Sequence, residues 1–323
     1  MKIAVAGSIA RDHLMTFPGH FTDSIVPDSL DSLSLSFLVD GLEIRRGGTG
    51  ANISFGLGVL GINPLLITAA GHDFSDYQSW LQRHGVDTTY VRISHELLTA
   101  SFTCTTDRNL RQIASFFPGA MVESREIELA AIVEKTGKFD LFVISPDDPE
   151  AMVRHTESAR TLGIDFVADP SQTLASISGD QIRNLISGAK YLFTNEYELE
   201  LIIKKTGWSD QQLLEEVGVR ITTMGGKGSR IESKGKSTIA ISVPEIRKIE
   251  DPTGVGDSYR SGFIAGLAWG VSLERCAQLG AILAAFCLET KGTQEYRFDK
   301  SEFLERFENT FGASAAGEIS SKL

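Results

Sequence analysis

The sequence predicts an α/β fold in which a central, mostly parallel sheet is flanked by helices and a second, smaller sheet lies apart from it. Two observations lead to this prediction. Short apolar runs alternate with helix-length segments between residues 65 and 223, which is typical of a parallel sheet covered by helices. Elsewhere polar and apolar residues alternate with period two, as in a sheet with one exposed face.

The chain begins with the apolar run Ile3–Ala6, predicted to be a buried strand that delivers polar residues, among them Ser8 and Asp12, at its carboxyl end. Ligands of α/β proteins bind at this end of the strands. The alternating residues 32–39 are assigned to the smaller sheet, which a hairpin of residues 99–106 and 111–117 could join.

The remaining elements follow in alternation. Apolar strands are predicted at residues 65–69, 141–144, 166–168, 191–194 and 219–223. Helices are predicted at residues 150–162, 273–289 and 301–311, and residues 313–323 are expected to fray.

Composition narrows the functional classes. A chain of 323 residues can bury a large core, and its net charge of -11 argues against a general nucleic-acid binder, which needs clustered Lys and Arg. Cys104, Cys276 and Cys287 lie far apart without metal-ligand spacing, so neither a zinc site nor a disulfide framework is expected. No signal-peptide core or membrane-length apolar stretch is found, which predicts a soluble protein of the reducing cytoplasm.

Residues 251–257 read DPTGVGD and precede a run of small and apolar residues predicted to be a buried helix. Backbone N–H groups at a helix start lack intrahelical partners and carry the positive end of the helix dipole, so Gly254 and Gly256 indicate an anion site. A carboxylate would repel phosphate there unless it accepts a proton from an attacking hydroxyl, which is the role predicted for Asp257. The alternative is an ordinary turn with a charge at the helix start.

Three further motifs follow strand ends or begin helices. Residues 47–52 read GGTGAN, in which an amide at helical spacing from two glycines could bind a hydroxyl-bearing ligand. Asn195 and Glu198 share a helix face and could hold a hydrated Mg²⁺, with a solvated helix face as the alternative. Residues 222–228 read TTMGGKG, a strand end and flexible turn suited to nucleotide phosphates.

In this order the motifs resemble the signature set of the PfkB/ribokinase family of carbohydrate kinases, over essentially the whole chain. Residues 7–15, 34–40 and 113–121 further resemble the actinobacterial, ribokinase-like adenosine kinases. The resemblance implies a single ribokinase-like domain, residues 1–323, with a discontinuous β lid from about 12–46 and 98–118. It also implies phosphoryl transfer from MgATP to the 5′-hydroxyl of adenosine, giving AMP and ADP in purine salvage, and a homodimer formed through the lid. Activation by K⁺ stays open.

Carried over residue by residue, the resemblance implies that Asp257 is the base and that the N–H groups of Gly254, Val255 and Gly256 bind the transferred phosphoryl group. Asp12 would accept hydrogen bonds from the ribose hydroxyls. The other residues implied in the substrate site are Ser8, Ser36, Gly48, Asn52, Phe102, Phe116 and Gln172. Those implied for ATP are Asn195, Thr223, Gly225, Gly226 and Gly228, with Asn195 and Glu198 positioning Mg²⁺ through water.

Several alternatives stay open at this point. Phe102 and Phe116 could be core or dimer-sheet aromatics, and Ser8 and Ser36 could be ordinary turn residues. A kinase for ribose or another free sugar is the closest alternative function. A catalytically silent ligand sensor is opposed by the complete 251–257 motif, and a dehydrogenase by the sequence GSIA, which replaces a Gly-x-Gly-x-x-Gly turn after the first strand.

Overall fold

The computed structural model describes residues 1–24 and 36–323, which form a large and a small β-sheet. The strands are β1 (Ile3–Ala6), β2 (Ala10–Thr16), β3 (Gly41–Gly47), β4 (Leu65–Ala70), β5 (Val91–Ile93), β6 (Ala100–Thr106), β7 (Gln112–Phe117), β8 (Leu141–Ile144), β9 (Phe166–Ala168), β10 (Tyr191–Asn195), β11 (Val219–Thr223), β12 (Ser229–Glu232) and β13 (Ile239–Ile241). Within the described residues the large sheet has the order β13-β12-β11-β10-β9-β8-β1-β4-β5. Its strands are parallel except β12 and β13, so the predicted mostly parallel sheet is confirmed.

Helices cover both faces of the large sheet. They are α1 (Phe21–Ser24), α2 (Thr49–Val59), α3 (Ser75–Arg83), α4 (Leu129–Thr136), α5 (Pro149–Thr161), α6 (Gly179–Ile186), α7 (Glu196–Thr206), α8 (Asp210–Glu216), α9 (Val255–Trp269), α10 (Leu273–Leu288), α11 (Lys300–Phe311) and α12 (Ala313–Ile319). No helix in the described residues is both long enough and apolar enough to span a membrane.

The position of strand β1 inside the large sheet explains why its sequence is apolar throughout. Ile3 and Val5 belong to the hydrophobic core formed with α2, α9 and α10, whereas Ala4 and Ala6 belong to the core formed with α4 to α8. Successive side chains of a strand point to opposite faces, and both faces here are covered, so every residue of the strand is buried.

The small sheet has the order β3-β2-β6-β7 in the described residues. Strand β2 pairs with β3 in the antiparallel and with β6 in the parallel sense, and β6 and β7 form the hairpin that the sequence predicts. In the register, Asp12 lies beside Arg45 on one side and Phe102 on the other, and Phe102 lies beside Phe116. These laterally paired side chains share one face of the sheet.

Three expectations differ from the structure. The strand predicted at 32–39 is absent from its described part, residues 36–39, while 32–35 lie outside the described residues; Gly41–Gly47 pairs with β2 instead. Asp12 was placed at the end of the first strand but lies inside β2, in the small sheet. Residues Ala313–Ile319 form a helix because Ile319 is fully buried in the core and holds it there.

Candidate active site

The 251–257 motif ends in a turn that begins helix α9. Gly254 has φ 73° and ψ 0°, the left-handed conformation that glycine adopts without strain. A Cβ at this position would lie 2.8 Å from the side chain of Thr293, so space as well as backbone conformation requires glycine. Within the part of the chain that the structure describes, no side chain caps this helix, so its first backbone N–H groups are available to an anion.

Asp257 lies in the first turn of α9 and accepts a hydrogen bond from Asn52 Nδ2 at 2.8 Å. The amide of Asn52 is fixed in turn, because its Oδ1 accepts hydrogen bonds from Thr293 Oγ1 and Gln294 Nε2, both at 2.9 Å. Enclosure by protein raises the pKa of Asp257 above the ordinary aspartate range, while the Arg260 guanidinium and the Asn52 hydrogen bond oppose that rise. The arrangement is that of a fixed carboxylate with raised basicity.

The glycines that precede Asn52 allow the start of α2 to approach the segment between β1 and β2 closely. Gly48 has φ 93°, and a Cβ there would lie 2.5 Å from the carbonyl oxygen of Ser8. Ser8 is buried, and its hydroxyl accepts a hydrogen bond from the N–H of Thr49 at 3.2 Å. Ser8 therefore stabilises the start of α2 in addition to lining the cleft described next.

A cleft of about 830 Å³ lies between the small sheet and the carboxyl ends of the parallel strands. Most of the predicted site residues line it: Ser8, Asp12, Gly48, Asn52, Phe102, Phe116, Gln172, Asn195, Glu198, Thr223, Gly254, Gly256 and Asp257. Ser36 is exposed and is not among the lining residues. The structure thus brings together side chains that are up to 249 positions apart in the chain.

Asp12 reaches the cleft from the small sheet. Burial and the negative charge of Asp251 raise the pKa of Asp12 to about 6, against the lowering effect of Arg45. A Cβ at Gly47 would lie 2.7 Å from the Asp12 carboxylate, so the glycine makes room for this side chain. Phe102 is partly buried and Phe116 is 50% exposed, which leaves an aromatic wall beside Asp12 open to the cleft.

Asn195 and Glu198 form a capping box at the start of α7. Asn195 Oδ1 accepts from the Glu198 N–H at 2.7 Å, and Glu198 Oε2 accepts from the Asn195 N–H at 2.8 Å. The other oxygen of Glu198 accepts from Ser171 Oγ at 3.2 Å. Among residues 1–24 and 36–323, no group of three or more His, Cys, Asp or Glu side chains is arranged to hold a metal ion. A carboxylate and an amide oxygen on the cleft wall nevertheless fit Mg²⁺, which keeps most of its waters.

A second, mainly apolar cavity of about 330 Å³ adjoins the first, and both are lined by Thr223 and Gly256. Thr223 lies directly opposite Asn195 in the pairing of β10 with β11. The predicted residues Gly225, Gly226, Gly228 and Val255 line this second cavity. Sequence reasoning missed its apolar wall, formed by Val243, Pro244, Ile246, Ala281, Ala284, Ala285 and Leu288.

Sequence reasoning also missed cleft residues whose partners are remote in the chain. Arg260 lines the cleft and is paired with Asp169, and Asp147 lines it with its carboxylate accepting a hydrogen bond from Thr68. The available signal for Arg260 was a second charged residue, one turn after Asp257, in a helix whose other residues are mostly small or apolar. The available signal for Asp147 was its position just after the apolar strand β8, where polar residues of α/β proteins face the ligand.

Comparison with known proteins agrees with this geometry. The sequence matches the pfkB family of carbohydrate kinases over residues 12–299. A nucleoside kinase of Methanocaldococcus jannaschii is 32% identical over 315 residues, which cover 95% of this chain and 97% of the relative. A solved structure of Burkholderia thailandensis nucleoside kinase in complex with inosine has a TM-score of 0.84 and 32% identity, covering 96% of this chain and 98% of that chain. Its complex with ADP-inosine has a TM-score of 0.82 and 32% identity, covering 96% of each chain.

Proposed function

This chain belongs to the pfkB family of carbohydrate kinases and is an ATP-dependent kinase, and we propose that it phosphorylates the 5′-hydroxyl of purine nucleosides, including adenosine. The observation that carries the proposal is the position of Asp257, which is held by Asn52 at 2.8 Å and lies beside the Gly256 backbone where two cavities meet. One cavity would hold the nucleoside and the other would hold the ATP base.

In the proposed reaction, the 5′-oxygen of the nucleoside attacks the γ-phosphorus of ATP. A bond forms between that oxygen and phosphorus, the bond from phosphorus to the β-phosphate oxygen breaks, and the hydroxyl proton passes to Asp257. The N–H groups of Gly254, Val255 and Gly256 bind the transferred phosphoryl oxygens. Fixed donors of this kind lower the barrier because they need little reorganisation when charge develops.

We assign the acceptor nucleoside to the larger cavity. Asp12, Gly48 and Asn52 would bind the ribose, and Phe102 with Phe116 would flank the base. Ser8 and Gln172 complete the proposed set, and Ser36 is left out of it because it is exposed and is not among the residues that line the cleft. A cleft of about 830 Å³ has room for a base as well as a sugar, which favours a nucleoside over free ribose. The relatives support this choice, since the Burkholderia thailandensis enzyme was solved with inosine.

We assign the phosphates of ATP to the edge shared by the cavities, near Asn195, Thr223, Gly225, Gly226 and Gly228. Asn195 and Glu198 would hold hydrated Mg²⁺ there. When bound, the ion neutralises phosphate charge during transfer. The carboxylate of Glu198 is fixed for this task by its hydrogen bonds to Ser171 and to the Asn195 N–H.

The small sheet is proposed to act as a lid that excludes water from the reaction. Ion pairs connect it to the rest of the protein, including Arg45 with Asp251 at 3.4 Å and Glu43 with Lys291 at 2.7 Å.

The face of the small sheet opposite Asp12 carries Leu42 and Ile44, which are 57% and 56% exposed, and Ile113, which is 45% exposed. We propose that a second copy covers this face in a homodimer. The three cysteines are free and buried, which supports the proposed location in a reducing cytoplasm.

A substrate panel tests the proposed function. ADP release should be measured with adenosine, inosine, guanosine and ribose, with and without K⁺ and Mg²⁺. We expect kcat/KM for adenosine to exceed that for ribose by orders of magnitude and activity to require Mg²⁺. A preference for ribose would instead identify a sugar kinase, and a preference for inosine or guanosine would overturn the adenosine assignment while retaining the nucleoside class.

A further inference from the structure

Arg260 is a buried cation on the wall of the active-site cleft. It lies one helical turn after Asp257 in α9, and its side chain is only 7% exposed. Burial of a guanidinium is costly unless its charge and its N–H groups are satisfied. The partners of its three nitrogens therefore indicate what the residue does.

Two of these nitrogens face Asp169, which is 1% exposed. Nη2 donates to Asp169 Oδ1 at 2.6 Å, and Nε lies 2.5 Å from Oδ2 without the geometry of a hydrogen bond. This contact along one edge of the guanidinium fixes its plane. Asp169 follows strand β9 and is held by its own N–H, which donates to the carbonyl of Ile144 at 2.9 Å.

The third nitrogen, Nη1, has no hydrogen-bond partner within residues 1–24 and 36–323. It lies against the start of α9, since a Cβ on Gly256 would be 2.9 Å from it. Gly256 is one of the residues whose N–H groups are proposed to bind the transferred phosphoryl group. Nη1 is thus a charged donor beside one residue of the proposed anion site, in a position that any side chain at residue 256 would obstruct.

We propose that Arg260 is a catalytic residue whose Nη1 donates hydrogen bonds to the non-bridging oxygens of the phosphoryl group during transfer, with Asp169 as the positioning residue that orients it. This inference rests on the proposed kinase function and adds a guanidinium to the backbone N–H groups of the anion site. The guanidinium transfers no proton and forms no covalent bond in the step. It stabilises negative charge on the phosphoryl oxygens while the 5′-oxygen bond forms and the bond to ADP breaks.

The test uses the full-length protein with three variants. Arg260→Lys retains a charge on a shorter side chain, and Asp169→Asn loosens the guanidinium. The double variant Arg260→Met with Asp169→Asn removes both charges, so that no carboxylate is left buried without its partner. Thermal unfolding identifies the variants that are folded. If the double variant does not fold, Arg260→Lys carries the test, with at least a tenfold loss of kcat expected.

For the folded double variant, kcat with adenosine should fall by about 10²–10³-fold, while the affinity for adenosine changes less than about threefold. In the single variant Asp169→Asn, kcat should fall about tenfold. The affinity for ADP with aluminium fluoride, which mimics the transferred group, should fall far more than the affinity for ADP alone. If Arg260 had a purely structural role, its removal would lower the affinity for ADP alone and for ADP with aluminium fluoride by the same factor. That result would overturn the proposal.

The pH dependence separates this role from an effect on Asp257. If Arg260 only kept Asp257 ionised, the double variant would recover wild-type kcat at pH 9, and that recovery would contradict the proposal. We expect kcat to stay low at pH 9. The wild-type enzyme is assayed in parallel: wild-type inactivity toward every nucleoside and ribose would refute the proposed function, whereas an active wild type with an equally active variant would refute only the role of Arg260.

Discussion

At the scale of single residues, Asp257 is the side chain on which the proposed chemistry depends. Replacing it with Asn retains the shape and the contact with Asn52 but removes the proton acceptor. We predict that Asp257→Asn lowers kcat by about 10²–10⁴-fold and changes the KM for adenosine little. Steady-state kinetics on the purified variant check this. Near-normal turnover would exclude Asp257 as the base.

The pKa of Asp12, raised to about 6, leads to a prediction on pH. A protonated carboxyl is a weaker acceptor for ribose hydroxyls, so the KM for adenosine should rise as the pH falls through about 6. Arg45 lowers this pKa, and Arg45→Met should therefore move the rise in KM to higher pH. Asp12→Asn, as the control, should give a high KM that does not change between pH 5 and 8. A wild-type KM that is flat over that range would contradict the role of Asp12.

The site residues that could be predicted from the sequence are those that belong to short local motifs. Asp257, Asn52 and the glycines around them follow from short spacings. Arg260 could not be assigned in this way, because its role depends on Asp169, 91 positions earlier in the chain. Asp12 was found as a candidate but placed on the wrong strand, because the break between β1 and β2 is set by pairing with residues far along the chain.

At the scale of elements, the turn from β11 to β12 contains three glycines, and at one of them, Gly228, close contact with another part of the chain leaves no room for a side chain. Gly228 has φ 93°, and a Cβ there would lie 1.9 Å from the carbonyl oxygen of Ile241. We predict that Gly228→Ala lowers the free energy of unfolding by at least about 1–2 kcal/mol, the cost of a left-handed residue with Cβ, and weakens ATP binding. Chemical denaturation and ATP titration measure these effects.

Gly226→Ala is the matched control for stability. It lies two residues earlier in the same turn, has no atom within 4 Å of the Cβ position and does not have a positive φ. Its free energy of unfolding should stay within about 0.5 kcal/mol of wild type. If Gly228→Ala and Gly226→Ala lowered the free energy of unfolding by the same amount, the turn would not be constrained at residue 228 as described.

Elements of the large sheet were predicted well because buried parallel strands are continuous apolar runs, and residues 141–144, 166–168 and 219–223 coincide with strands. The short strands Val91–Ile93 and Ile239–Ile241 were missed because they lie at the two edges of the described sheet and are only partly buried, so the apolar pattern that marks the central strands is weak there. The third strand of the small sheet was placed at 32–39 because alternation is clearest there. The observed strand, Gly41–Gly47, is selected by its antiparallel register with β2, which local sequence does not encode.

At the scale of the whole molecule, the exposed apolar face of the small sheet predicts self-association. Ile44→Lys places a charge among Leu42 and Ile113 on that face, so we expect it to convert a dimer into a monomer at micromolar concentration. Sedimentation velocity measures the change. Ile249→Lys, at an isoleucine that lies outside the small sheet and is even more exposed than Ile44, should leave the assembly unchanged. A monomeric wild-type protein would contradict the proposed dimer.

The proposed function of the whole molecule depends on which oxygen receives the phosphoryl group, and ³¹P NMR of the products from adenosine and MgATP measures this directly. A 5′-hydroxyl directed at Asp257 predicts equal amounts of 5′-AMP and ADP, and no ADP release when 5′-deoxyadenosine replaces adenosine. Phosphorylation at the 2′- or 3′-hydroxyl, or equal ADP release with 5′-deoxyadenosine, would contradict the arrangement of nucleoside, base and anion site described for this protein.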